Sequence, residues 1–253
     1  MKKERSFRVF IIYALLLQFA ILLSQQSLIT QTQPVTFKDY TTRDATVQVL
    51  ISFAEIGNEE STMVAYTGTG TIIANTSSFT YVLTAKHVCA PDSVQSASLY
   101  GLKPVLEVYD IDSVYHNAEI ALLAESDDLC IVKYESKGYQ PVANIASEPP
   151  LLDSEIHMYA APSGFYVPSA ITRFTGTYSG NASFSPFSVS AVYTIPAAGG
   201  SSGAAVINHK GEVIGVLHST LMDFHHISLA STYTATINFI EELEHQESII
   251  ILD

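Results

Sequence analysis

The 253-residue sequence has no tryptophan, only two cysteines and only 12 basic residues against 25 acidic ones. Two cysteines cannot build a disulfide-dense secreted scaffold, so a packed apolar core has to hold the fold. A net charge of −13 excludes a nucleic-acid partner, because phosphate binding needs a basic face. Charged residues make up 15% and hydrophobic ones 47%, which excludes an extended disordered chain. Internal repeats and low-complexity tracts are absent, so solenoids and fibrous folds are excluded too.

The scarce basic residues are unevenly spread. Lys2, Lys3, Arg5 and Arg8 precede an apolar run from Val9 to Leu23 that is broken only by Gln18. A positive cluster followed by about 15 apolar residues has the build of a signal-peptide core. Polar, uncharged residues Ser24–Ser27 follow it. Residues 1–30 are therefore expected to form a hydrophobic helix, either a cleaved export signal or an uncleaved membrane anchor, with 31–45 as a linker. Both readings send the remainder across a membrane, so an exported or extracytoplasmic location is expected.

From residue 46 onward, short runs rich in Val, Ile, Thr and Tyr alternate with Gly, Pro, Asn and Ser. Such runs are expected at Thr46–Phe53, Thr69–Ala74, Tyr81–Thr84, Val105–Asp110, Cys130–Tyr134, Glu155–Ala160, Ser188–Thr194, Ala204–Asn208 and Val213–Leu217. Many short strands with turn residues between them predict an all-β sandwich or barrel fold. Prolines at 141, 149 and 150 interrupt the pattern near its middle. Two β units are expected, over 46–140 and 141–246. The second ends in a short amphipathic helix near Ala235–Gln246, and 247–253 forms a tail.

Three segments carry chemistry. In Gly199-Gly200-Ser201-Ser202-Gly203, glycines flank a serine. A serine attacking a carbonyl needs backbone N–H donors held near the developing oxyanion, and those of Gly200 and Ser202 are the candidates. Tyr81-Val82-Leu83-Thr84-Ala85-Lys86-His87 ends a strand on a histidine able to serve as general base near neutral pH. Asp127-Asp128-Leu129-Cys130 leads an acid directly into an apolar strand, where it can orient an imidazole. Each segment alone also fits a plain loop, a surface histidine or a solvated acidic turn. In the order His87, Asp128, Ser202 they fit the chain order of chymotrypsin-type enzymes.

At these residues the sequence resembles a family. Gly68-Thr69-Gly70-Thr71-Ile72-Ile73, Leu83-Thr84-Ala85-Lys86-His87-Val88 and Asp128-Leu129-Cys130-Ile131-Val132-Lys133 resemble segments of trypsin-like serine proteases, especially the HtrA/Deg group. Glu155–Gly164 is similar to their second-barrel strand and turn. Gly200-Ser201-Ser202-Gly203-Ala204-Ala205 followed by Gly211-Glu212-Val213-Ile214-Gly215-Val216 is similar to their nucleophile loop and the strand after it. The resemblance runs from about residue 46 to 243. It implies two antiparallel six-stranded β-barrels with the triad between them, and an acyl-enzyme mechanism on protein or peptide substrates that needs no cofactor and no metal. It does not extend to the PDZ domain of HtrA enzymes, for which no segment is expected. Oligomeric state is not encoded.

Several positions depart from the pattern or compete with it. Ala204 and Ala205 replace Gly-Pro after the nucleophile, which leaves open a protease-fold binding or scaffold module without turnover. Glu119, ahead of Ile120-Ala121-Leu122, and Asp127 compete with Asp128 as the acid. Cys89 and Cys130 each lie two residues past a triad position; buried free thiols are expected in preference to a bridge. The substrate pocket is expected to involve Pro196, His218 and Ser219. Pro196 stands where proteases specific for basic residues carry Asp. His218 lies one residue beyond the pocket histidine of acid-specific relatives, so a small or medium apolar P1 residue is expected before an acidic one. His225 and His226 lack the carboxylate or cysteine partners of a metal site.

Overall fold

The computed structural model describes residues 40–252 apart from 56, 57, 93–96, 98, 99, 137, 186, 187 and 222. The hydrophobic helix expected over 1–30 and most of the 31–45 linker lie outside the described residues. Among the described residues no helix is long and apolar enough to cross a membrane.

Twelve strands close into two antiparallel barrels. The first holds β1 (Thr46–Glu55), β2 (Asn58–Asn75), β3 (Phe79–Thr84), β4 (Leu102–Tyr109), β5 (Tyr115–Leu123) and β6 (Cys130–Glu135), in the order β1-β2-β3-β6-β5-β4. The second holds β7 (Glu155–Ala160), β8 (Thr172–Ser185), β9 (Ser188–Tyr193), β10 (Ala205–Asn208), β11 (Val213–Leu221) and β12 (Phe224–Ala230), in the order β10-β11-β12-β9-β8-β7. Closure leaves no sheet edge unpaired, which a chain of short strands otherwise exposes. This is the chymotrypsin-like arrangement expected from the sequence.

Apolar density explains why the strands hold. Val47 and Val49 of β1, Val82 and Leu83 of β3, and Ile131 and Val132 of β6 are fully buried in the first core. Ile156, Met158, Tyr193, Ile214 and Leu217 fill the second. Strands β3 and β6 are buried along nearly their whole length because their outer faces meet further structure. Their unbroken apolar runs have that cause.

The C-terminal helix, Tyr233–Glu247, begins under a Thr232 cap whose side chain accepts from the Ala235 N–H. Its apolar stripe of Phe239, Ile240 and Leu243 joins a core cluster that combines first-barrel residues with Ala205, Ile207, Val213 and Val216 of the second. At its far end Glu247 accepts from Lys133 (2.9 Å) and Tyr81 (3.1 Å), both on the first barrel. The helix therefore ties the barrels together, where the sequence pattern placed it only within the second unit. Burial first, then the Glu247 carboxylate, pushes the Tyr81 hydroxyl up to about 12.

Cys89 and Cys130 form a disulfide, with Cα atoms 6.7 Å apart. This overturns the expectation of free thiols. The physical reason is the pairing of β3 with β6 (Thr84 opposite Cys130), which brings the turn after β3 over the start of β6.

Candidate active site

The candidate site is built from the first barrel's His87 and Asp128 and from the second barrel's loop 198–203, which is anchored on Thr69 of β2. His87 sits on a single helical turn, Lys86–Cys89, immediately after β3. The preceding strand ends in Thr84 and is followed by Ala85, both fully buried, so the turn starts from a rigid base. Asp128 immediately precedes the buried run Leu129–Val132. Its carboxylate meets the histidine twice: Oδ2 lies 2.6 Å from Nδ1, and Oδ1 accepts from the His87 backbone N–H at 2.9 Å. Burial raises the Asp128 pKa, but the side-chain and backbone hydrogen bonds from His87 outweigh it and hold the carboxyl below its ordinary value.

The rival acids are elsewhere. Glu119 is exposed on β5 and lies 3.8 Å from Lys133. Asp127 is contacted by the Ser126 hydroxyl, and its carboxylate takes no part in the His87 hydrogen bonds.

The serine loop is held from both sides. Thr69 on β2 donates its backbone N–H to the Ser202 carbonyl (2.8 Å) and its hydroxyl to the Gly200 carbonyl (2.8 Å). The same hydroxyl accepts from Ala161 N–H (2.9 Å), while Thr84 donates to the Thr69 carbonyl (2.8 Å). One threonine of the first barrel thus anchors the loop of the second. A Cβ added to Gly68 would lie 2.5 Å from Val88 and 3.0 Å from the Ser202 carbonyl. His87's neighbour and Ser202 therefore converge on one backbone point.

Peptide orientation in the loop follows from its carbonyls. Gly199 O accepts from Ser163 N–H at 2.5 Å, and Ser201 O accepts from Ala204 N–H at 3.1 Å. In a trans peptide the N–H points opposite to the C=O, so the amides of Gly200 and Ser202 turn away from those partners. Among the described residues neither amide donates to a protein acceptor. Gly200 takes φ +89° to make this turn, a value that side chains disfavour. The Ala204-Ala205 pair, the main sequence departure, is buried at negative φ and interrupts nothing.

His218 is closer to the dyad than its sequence position suggests. β11 and β12 pair Leu217 with Ala230 and Ser219 with Leu229, so His218 is the extra residue of a β-bulge. A bulge redirects a side chain that regular alternation would send elsewhere. Its ring nitrogens lie 3.3 Å from the Ser190 hydroxyl and 2.9 Å from the Ser219 hydroxyl. Burial lowers its pKa; the nearby Asp128 carboxylate opposes the shift without reversing it. Pro196 is half-buried just ahead of the loop, and Ala197 N–H donates to the His225 carbonyl, joining this stretch to β12. Ser219 is exposed. Among the described residues no group of three or more His, Cys, Asp or Glu side chains is placed to hold a metal.

A trypsin-like peptidase domain model matches residues 68–216, a span that contains His87, Asp128 and Ser202. The chain belongs to the trypsin-like peptidase family. No curated protein matches it. Among solved structures it is similar to the serine endoprotease from Yersinia pestis, at 18% identity and a TM-score of 0.63. That likeness covers 83% of this chain and 66% of the other, and it concerns the fold alone.

Thr69 is the residue of this trypsin-like peptidase that sequence reasoning missed. Its segment was noted as a strand, but a threonine between two glycines gives no sign that its hydroxyl reaches a carbonyl 131 residues away.

Proposed function

We propose that the chain hydrolyses peptide bonds in protein or peptide substrates through an acyl-enzyme intermediate, with Ser202 as nucleophile, His87 as base and Asp128 as its orienting acid. The observation that carries this reading is the two-point contact between Asp128 and His87. A carboxylate at Nδ1 fixes the tautomer that leaves Nε2 free to take a proton, and it stabilises the imidazolium that follows. Ser202 attacks the carbonyl carbon, and the displaced electrons collect on the carbonyl oxygen. The amides of Gly200 and Ser202 receive that oxyanion. His87 then delivers the proton to the leaving amine, and water repeats the sequence on the acyl-enzyme.

Pro196, His218 and Ser219 border the pocket for the residue preceding the cut. Proline in place of an acid there supports an uncharged, apolar P1 residue. Export is supported by the basic cluster and apolar run at the N-terminus and by the Cys89–Cys130 bridge, which persists in oxidising compartments. If residues 1–30 are retained after export they anchor the enzyme to the membrane; if they are cleaved the enzyme is released.

The test is labelling with a fluorophosphonate probe beside Ser202→Ala. Covalent labelling of the parent and none of the variant is expected. A folded parent that stays unlabelled refutes turnover and favours a binding role for the fold.

A further inference from the structure

Two links join the turn after β3 to the start of β6. One is the contact between His87 and Asp128; the other is the bridge between Cys89 and Cys130. Both span 41 residues, and each cysteine lies two positions beyond its partner in the dyad. The disulfide thus repeats the catalytic contact one step further along the same two elements.

Little else fixes the histidine. Its turn is four residues long, and its N-cap Ala85 offers no side-chain hydrogen bond. The His87 side chain is 47% exposed, so packing does not set its position. The turn's inner side is held by Val88 against Gly68, by Lys86 Nζ on the Ala124 carbonyl at 2.5 Å, and by the bridge. Cys89 and Cys130 are 3% and 0% exposed, and Cys130 is the first residue of β6.

We propose that the Cys89–Cys130 disulfide is a positioning element of the catalytic dyad, so that the activity of Ser202 depends on the oxidation state of this cysteine pair. The inference rests on the triad reading above. Bridge formation removes two electrons and two protons from the two thiols and passes them to a disulfide-bearing oxidant, such as oxidised glutathione or a dithiol oxidoreductase, which is reduced to its thiols. In a reducing compartment the pair stays as thiols and the dyad keeps only its own hydrogen bonds. In an oxidising one the second link closes, and burial then shields it from exchange. A peptidase of this build is held back until it is exported.

The test uses the full chain and compares the parent with Cys89→Ala/Cys130→Ala and with Cys89→Val/Cys130→Ala, which keeps more of the buried volume. The readouts are the fluorophosphonate labelling rate at a temperature where all are folded, and the low-field proton resonance of His87 Nδ1–H. Misplacing a catalytic group by about 1 Å costs on the order of 100-fold, so a 10- to 100-fold slower labelling rate is expected, with the resonance broadened or lost. Parent refolded with its thiols kept reduced is slow, parent refolded with oxidised glutathione has the full rate, and the alanine variant is the same under both conditions. A purely structural bridge lowers the melting temperature and leaves rate and resonance unchanged, which overturns the proposal. A parent that shows the resonance but is never labelled counts against the triad reading instead, and the resonance of the variants still decides the bridge.

Discussion

The Thr69 hydroxyl donates to the Gly200 carbonyl at 2.8 Å across the boundary between the barrels, and it accepts from the Ala161 amide at 2.9 Å. Both groups it satisfies belong to the second barrel, so the first barrel sets the height of the loop that carries Ser202. Thr69→Val keeps the shape and deletes both bonds. Unsatisfied buried polar groups cost about 1–3 kcal/mol, and the Gly200 carbonyl is freed to rotate. Labelling of Ser202 is expected to slow about 10- to 100-fold, with a fall in melting temperature. Thr69→Ser, which restores the hydroxyl, recovers most of the rate. Equal rates in the valine and serine variants would remove Thr69 from the site.

Asp128→Asn tests the acid in two ways. An amide keeps the shape but favours the wrong imidazole tautomer, so kcat is expected to fall by about 10⁴-fold. The pH dependence of stability changes as well. The folded Asp128 pKa lies below its ordinary value because the His87 bonds outweigh burial. Its stabilising contribution is therefore complete above the unfolded pKa of about 3.9 and is lost as pH falls through the lower folded value. Thermal melts from pH 2 to 6 should show the parent losing stability faster than the variant below about pH 4. Parallel curves would mean that the carboxylate is not held as described.

How much of this was readable before folding depends on residue chemistry. The strands dense in Val, Ile and Leu stood out, and the barrels form from them. β5, β8 and β12 did not stand out: β8 carries Gly176, Gly180, Asn181 and four serines or threonines before Ser183, and β12 opens with Phe224, His225 and His226. They are strands because their neighbours offer hydrogen-bond ladders, a tertiary cause that local propensity does not register. Asp128 could be ranked above Glu119 and Asp127 by register, but only the pairing of β3 with β6 brings it to His87. The two cysteines share the triad's spacing, which places them near each other, but the Cα separation and side-chain direction that a bridge needs come only from the fold. The Leu217–Ser219 bulge is invisible in a run of strand-forming residues, so strand alternation alone does not give the face that His218 takes.

The serine loop offers a paired test of backbone demand. Gly203 has φ +87°, and an added Cβ would lie 2.1 Å from the Thr69 carbonyl oxygen, a backbone atom that cannot step aside. Gly199 has open space around it. Gly203→Ala is expected to cost at least about 2 kcal/mol, since strained backbone alone costs about 1–3. For a domain of this size that lowers the melting temperature by about 4–8 °C, and labelling is expected to be abolished. Gly199→Ala should leave stability within about 0.5 kcal/mol of the parent. Similar melting temperatures for the two variants would contradict the described loop.

His218 links specificity to pH. Burial depresses its folded pKa despite the Asp128 carboxylate nearby, with His87 acting in the same direction as burial and Asp127 against it. The imidazole is thus neutral near pH 7, and a neutral ring does not attract an acidic P1 side chain as a cation would. On acidification the unfolded chain takes up a proton near pH 6.5 that the folded protein resists, so stability falls as pH drops from about 6.5 toward the lower folded value. His218→Gln removes that slope, which melts at pH 5 and 7 will reveal. The P1 preference should be small or medium apolar residues in both proteins when a peptide library is digested at pH 7. Dominant cutting after Glu by the parent, lost in His218→Gln, would show instead that the ring binds acidic side chains, and the pocket would have to be redrawn around a charged His218.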